Sequence, residues 1–515
     1  MNREKKKKKK KKKKSILRSI MAAGKREEDY PEVFTTKRLT VYPTTSPPTC
    51  SRLIHLSSLD RKCPALMYLV FFYRSPPPPS LFSCLKRGLE DTISTWYPAA
   101  GRLCVTPPGN KLNLACTNAG ALFLEAATRA KISDLGDDLS QHNDFYRRLV
   151  FRPPADAALA DVPLVAAQVT RFACGGYAIG VGTNHALFDG SSNYSFLSAW
   201  AAKTAAATLA VGRRGEGSRV ELFEPVHERG RLLLLGSEHV VVVQNPQVIA
   251  RMSKSSTCAG RRQEGEGSGG DGMRTMRRFM ALDHLHQLIK QVAELGSSST
   301  STGENDLVLR TFGVGRGAVS RLKSKAAASD AAACCSSFEV VAAHLWKART
   351  RALNIPNERM VCLQFAVDAR TRMHPPLPKS FTGNAYVLSS VACTAAELQQ
   401  HSLAAVVDKI KEAKRAVTHD YVASYVAALD AAPPPQQVAL PPLPELTMVS
   451  DWTKTPYHKI DFGAGEAACV TPLATPLPQV AYFMQSPREA GRVDVRIGLP
   501  QRSLQAFSHY FLSEL

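Results

Sequence analysis

A histidine with an aspartate four residues on stands in the stretch Val181-Gly-Thr-Asn-His185-Ala-Leu-Phe-Asp189-Gly190, directly after a run apolar enough for a buried strand. An imidazole titrates near neutral pH. One set in such a turn can take the proton of an attacking hydroxyl or amine and return it to a leaving group. Asp189 has two possible jobs: to orient the ring, or to bind an arginine and fix the loop at a helix start. Its place beside Gly190 favours the second. The spacing alone is weakly specific, since thirteen histidines at ordinary aspartate frequency give about half a match by chance. Among the thirteen, only His185 has it. Taken alone, the pattern also fits a histidine satisfied within its turn.

A second segment narrows the choice. Ser450-Asp-Trp-Thr-Lys-Thr-Pro-Tyr-His-Lys-Ile-Asp461-Phe-Gly-Ala-Gly465 is rich in turn formers, with two glycines where the backbone must bend or be approached closely. Other chemistries lack their residues. Gly313-Val-Gly-Arg-Gly317 has no lysine and hydroxyl residue to make a phosphate loop, and no Gly-x-Ser-x-Gly elbow occurs. No histidine and cysteine cluster has zinc spacing, so no metal is expected. His284 and His286 sit two apart on an expected helix, share no face and count as surface residues.

His185-xxx-Asp189-Gly190 followed by Asp461-Phe-Gly-Ala-Gly465 closely resembles the two signature motifs of the BAHD acyltransferases. Leu56-Ser-Ser-Leu-Asp60, Trp96-Tyr-Pro-Ala-Ala-Gly-Arg102, Phe338-Glu-Val-Val-Ala-Ala-His-Leu-Trp346 and Asp368-Ala-Arg370-Thr-Arg372 through Thr382-Gly-Asn384 follow in family order. The resemblance covers roughly residues 31–515. It implies two chloramphenicol-acetyltransferase-like α/β lobes, each a mixed sheet flanked by helices, with a channel between them that His185 faces. Acyl-CoA would enter as co-substrate on one side, with no permanently bound cofactor, and a small alcohol or amine on the other. The acyl group could be hydroxycinnamoyl or another aromatic group, moved without an acyl-enzyme.

By match to the family's motifs, His185 is the general base, and Asp189 and Asp461 are structural, pairing with Arg370 or Arg372. Gly463 and Gly465 shape the second motif. Lys323, Ser336, Ser337 and Asn384 fall where such proteins line the coenzyme channel, and Trp452 and Thr453 lie near the acceptor or the developing oxyanion. The sequence departs from the family at Ala464, where a tryptophan is usual. Some relatives in very-long-chain wax synthesis act without transfer chemistry, so a non-catalytic accessory protein is the alternative reading. Family members are generally monomers, and the same is expected here.

The elements that must position these residues follow from periodicity. β-Branched alternation or continuous apolar runs predict strands at 33–41, 66–73, 163–170 and 177–183, with a helix at 81–96 and another at 191–206 flanking the His185 turn. Beyond them the sequence predicts strands at 307–314, 362–367, 479–484 and 492–498. Helices are expected at 318–325 and 338–352, with one long helix at 396–421. This alternation argues for α/β architecture. The organisation expected is a disordered basic tail at 1–30, an N-terminal lobe at 31–235, a linker with a low-complexity insertion at 236–305, and a C-terminal lobe at 306–515.

At 515 residues the chain exceeds one comfortable core of roughly 100–200 residues. Of the formal charge of +22, the unbroken lysine run at 5–14 supplies ten, and the remainder is still basic. Such a run stays solvated, and without aromatic-interleaved basic motifs a nucleic-acid partner is not expected. A basic body suits a polyanionic co-substrate such as coenzyme A. Twelve cysteines without CxxC pairing read as reduced thiols, and no apolar stretch is long enough to span a bilayer, so the expected location is cytoplasmic.

Overall fold

The computed structural model describes residues 30–45, 52–62, 65–107, 109–154, 156–210, 224–233, 269–297, 307–327, 335–430, 441–473, 477–513 and 515. The lysine run, residues 236–268 and the serine run after Ser297 lie outside them, and with them the readings of a basic tail and a low-complexity insertion.

Strand Tyr177–Asn184 is buried along its whole length, as an apolar run must be when both faces are covered. It lies inside a six-stranded sheet whose spatial order is Val33–Val41, Ala121–Thr128, Val165–Arg171, Tyr177–Asn184, Leu66–Tyr73 and Cys469–Pro472. Only the second and third of these run parallel. At Gly180 a side chain would collide with the Leu149 carbonyl, so the close approach there demands a residue without Cβ. Helices Leu81–Thr95 and Gly190–Ala210 pack together beside this sheet. The first buries Leu81, Leu85, Leu89 and Ile93 at four-residue spacing, and Trp200 of the second donates its indole N–H to the Leu85 carbonyl at 2.9 Å. Arg52–His55, Lys111–Cys116 and Arg102–Thr106 form a small third sheet.

The second six-stranded sheet runs Tyr386–Thr394, Met360–Asp368, Leu446–Asp451, Val480–Gln485, Val493–Pro500 and Leu307–Val314. Its second, third and fourth strands run parallel and the remaining pairings are antiparallel. Helices Arg316–Ala327, Ser337–Ala352, Leu403–Arg415 and Gln501–Ser513 share one large core with it. The architecture is therefore two lobes, each a mixed sheet with helices.

Four details differ from expectation. Residues 269–297, read as part of a linker, form helix Gly269–Ser297. Met280, Ala281, His284 and Leu288 recur at helical spacing and are buried, a face that the glycines and serines around it hide in composition. His284 is thus not a surface residue: it is fully buried and its Nε2 lies 2.7 Å from the Pro441 carbonyl. The long helix at 396–421 is three helices, Ala395–Gln400, Leu403–Arg415 and His419–Asp430. New caps interrupt it where the Ser402 hydroxyl accepts the Ala405 N–H and the Thr418 hydroxyl the Tyr421 N–H. Finally, Cys469–Pro472 leaves the second half of the chain to pair with Leu66–Tyr73 at the edge of the first sheet.

That crossing strand helps to lock the lobes. Arg496, fully buried in the second sheet, donates to the Pro472 carbonyl at 2.7 Å, the Thr471 hydroxyl at 2.6 Å and the Ser140 carbonyl at 2.5 Å. Gln141 exchanges two hydrogen bonds with the Thr311 backbone at 2.9 and 3.0 Å.

Candidate active site

Strand Tyr177–Asn184 ends where the His185 N–H bonds, at 2.8 Å, the carbonyl of Ala65, the residue just before the neighbouring strand Leu66–Tyr73. The Asn184 side chain accepts the Ala186 N–H at 2.9 Å, and its carbonyl accepts the N–H groups of Leu187 and Phe188. These bonds curl residues 185–189 into a tight turn that feeds helix Gly190–Ala210. Asp189 caps that helix, accepting the Ser192 N–H and hydroxyl on Oδ1 at 2.9 Å each.

Arg370 grips the same carboxylate with both ends of its fork, Nη1 to Oδ2 at 2.8 Å and Nη2 to Oδ1 at 3.0 Å, and the Ala385 N–H adds a bond at 3.2 Å. Burial alone would raise the Asp189 pKa, but Arg370 and Ser192 outweigh it and hold it below the usual carboxylate value. Among the described residues, every hydrogen bond to the Asp189 carboxylate comes from the backbone, Ser192 or Arg370. It therefore fixes the turn and makes no hydrogen bond to the imidazole, the second of the two jobs weighed for it.

The His185 ring is crowded on every side yet keeps some accessible surface, with the Tyr386 ring 6.2 Å away. Its Nδ1 makes no well-formed hydrogen bond to another residue, and the polar groups acting on the ring include its own carbonyl and the Asn384 side chain. Burial pushes the pKa of the ring below its usual value. That carbonyl, Asp189, Asn384 and Asp60 work against the shift without reversing it. Its surroundings therefore favour the neutral ring, the form in which it can accept a proton. An NMR titration of the His185 ring is expected to show a midpoint below the ordinary value of about 6.5. A midpoint above that value would contradict this account of its surroundings.

The structure brings His185, Asp189, Arg370 and Asn384 together from both halves of the chain and leaves the other motif elsewhere. Among the described residues, Asp461 pairs with no arginine. Its Oδ1 accepts the N–H groups of Gly463, Ala464 and Gly465 at 2.8, 2.9 and 2.8 Å, and both glycines have positive φ (83° and 85°), which curls those donors onto one oxygen. Among the described residues, Arg372 pairs with neither carboxylate. Phe462 anchors the loop in the core, edge-on to Phe71 and Trp200. Asp461 acts electrostatically on Tyr73 and Tyr177, at the end of the sheet opposite His185. The seven residue steps along Tyr177–Asn184 put the two motifs roughly 20 Å apart.

Other expected residues are placed as follows. Asn384 lines no channel: it is fully buried, its Nδ2 bonding Asp60 at 2.9 Å and the His185 carbonyl at 2.6 Å. Ser336 is the exposed N-cap of helix Ser337–Ala352, and Ser337 is that helix's first residue. Lys323 is partly exposed on the adjacent helix Arg316–Ala327. Thr453 gives both its N–H and its hydroxyl to Asp451 Oδ1, at 3.0 and 2.7 Å, which leaves neither donor for an oxyanion. Trp452 donates to Ser450 at 2.9 Å and, with Tyr457, His458, Leu69 and Val470, lines a small cavity. The Tyr457 hydroxyl lies 3.1 Å from the Gly190 carbonyl and so ties that wall to the turn.

Sequence reasoning gave no role to Asp60, although it stood in a quoted motif, nor to Arg229. Asp60 is fully buried and accepts bonds from Ser57, Asn384 and Arg229.

The chain matches the family model described as "Transferase family" over residues 32–216 and 283–513. It is 44% identical to "Brassinosteroid-related acyltransferase 1" of Arabidopsis thaliana, covering 92% of this chain and 97% of that protein. With "Omega-hydroxypalmitate O-feruloyl transferase" of the same plant the identity is 26%, over 89% of each chain. Among solved structures, vinorine synthase superposes with a TM-score of 0.64 at 18% identity, over 94% of this chain and 98% of that one. TRI101 of F. sporotrichioides, complexed with coenzyme A and T-2, gives 0.60 at 15%, over 89% and 97%. At such identities these two speak for the fold alone.

Proposed function

We propose that this chain, which belongs to the Transferase family and within it to the plant BAHD acyltransferases, uses His185 to move an acyl group from a coenzyme A thioester to the hydroxyl of a bulky apolar alcohol. It is an acyltransferase of groups other than amino-acyl groups. The observation that carries the mechanism is an imidazole set in a turn fixed from both lobes, where burial favours its neutral form. As the acceptor oxygen attacks the thioester carbonyl, His185 Nε2 takes its proton. When the tetrahedral adduct collapses and the C–S bond breaks, the imidazolium returns that proton to the leaving CoA thiolate. No acyl-enzyme forms, and one base suffices.

The 44% identical relative supports a steroid-like alcohol as the first acceptor to try, and relatives named for feruloyl and caffeoyl transfer support aromatic acyl donors. Lys323, with Ser336 and Ser337 at the N-terminus of helix Ser337–Ala352, is suited to the phosphates of coenzyme A. Trp452 is proposed to face the acceptor from its cavity wall. The eight described cysteines are all free thiols, in keeping with a reducing cytoplasm, and a monomer is part of the same proposal. No helix among the described residues is long and apolar enough to cross a membrane.

The accessory-protein reading drew on Ala464. That residue lies in the Asp461 loop, at the end of the sheet opposite the His185 turn. A panel of acetyl-, benzoyl-, feruloyl- and caffeoyl-CoA against hydroxysteroids, fatty alcohols and amines tests the substrate reading. The expected result is thiol release and an acylated steroid with at least one donor. Transfer confined to small polar amines would overturn the acceptor class.

A further inference from the structure

Three alternate residues of the His185 turn are gripped from outside it, and only Arg370 on Asp189 belongs to the pair expected from sequence. The other two grips lead back to one buried carboxylate. Asp60 Oδ1 accepts the Asn384 N–H at 2.8 Å and its Nδ2 at 2.9 Å, and the same Nδ2 reaches the His185 carbonyl at 2.6 Å. Asp60 Oδ2 accepts Arg229 Nε at 3.2 Å, and Nη2 of that guanidinium reaches the Leu187 carbonyl at 3.2 Å. We propose that Asp60 and Arg229 are positioning residues for His185: with Asn384 they fix the two carbonyls flanking Ala186 and so set the direction in which the imidazole faces a reactant.

Two further observations point the same way. The Asp60 and Arg229 side chains are 0% and 1% exposed. A charge pair so deeply buried gains little net stability over apolar packing but holds one geometry well. The surroundings are also shaped around the guanidinium. A Cβ on Gly383 would meet Arg229 Nε at 2.6 Å, and the Phe381 ring lies under the guanidinium at 5.5 Å. Arg229 arrives on residues 224–233, pinned to the Phe381 loop where the Val226 N–H bonds the Ser380 carbonyl at 2.9 Å and the Val226 carbonyl accepts the Thr382 N–H at 3.0 Å.

The inference rests on His185 being the base, so its test carries a readout that does not need transfer. Arg229→Lys keeps a charge for Asp60 but cannot span to the Leu187 carbonyl as well. Gly383→Ala keeps every hydrogen-bonding group and displaces the guanidinium. Both variants are expected to fold, with an acyl-CoA KM within about twofold of wild type, while kcat falls about ten- to hundredfold, the cost of a small misplacement of a reacting group. The NMR titration midpoint of the His185 ring should move in both. An unchanged kcat in folded variants would overturn the proposal, as would a loss that only tracks the folded fraction. Should wild type transfer nothing to the acceptors tried, the titration decides alone: a moved midpoint supports the positioning role and an unmoved one refutes it.

Discussion

Replacing His185 by Ala is expected to give a folded protein that still binds coenzyme A but transfers acyl groups about 10²- to 10⁴-fold more slowly, the range for loss of a positioned general base. The ring makes no hydrogen bond that the fold needs. The structural bonds of residue 185 are made by its N–H, to Ala65, and its carbonyl, from Asn384, and alanine keeps both. Stability should change little while the chemical step suffers. In pH terms, the ring's lowered pKa means kcat/KM should be flat through pH 7 and fall only on the acid side of the ordinary imidazole value, as protonation removes the base. A profile that instead rises toward acid would mean that another group carries the reaction.

Asp189→Ala is expected to cost stability on a scale His185→Ala does not. It strands Arg370 in the interior, and breaking a buried pair from one side typically costs 3–5 kcal/mol, to which a lost helix cap adds about 1 kcal/mol. Denaturant unfolding should show this loss for Asp189→Ala and a comparable one for Arg370→Ala. The double variant should lose less than the sum, because neither charge is then left alone. Single variants within about 0.5 kcal/mol of wild type would show that the pair holds nothing. The sign with pH follows from the lowered Asp189 pKa: the folded state binds fewer protons there. This contribution is therefore present above the unfolded carboxylate value of about 3.9 and is lost as pH falls through the folded value.

How much of this was legible beforehand depends on where each residue's partner lies. The strand ending at Asn184, the helix after Gly190 and the histidine between them are local, and alternation, turn residues and apolar runs announce them. The Asp189–Arg370 contact was inferred from motif resemblance, since 181 residues separate the two and no spacing encodes their meeting. Arg229 carried no signal at all, being one arginine among many in a stretch without periodicity, 169 residues from the carboxylate it binds. Asp461 misled for a different reason. A carboxylate invites an arginine, but Gly463 and Gly465 let the backbone itself supply the donors. Asn384 and Thr453 were assigned to open space because a sequence shows a polar group and hides what consumes it. The helix at 269–297 was lost among the glycines and serines beside it.

The central claim is direct, acceptor-dependent transfer with His185 as base, and its most direct measurement is release of free CoA thiol coupled to formation of the acylated acceptor. The account predicts that wild type releases one thiol per acylated acceptor and almost none without an acceptor. It also predicts that His185→Ala, though folded and able to bind coenzyme A, loses both products together. Thiol release at the same rate without acceptor, or full activity in His185→Ala, would contradict it.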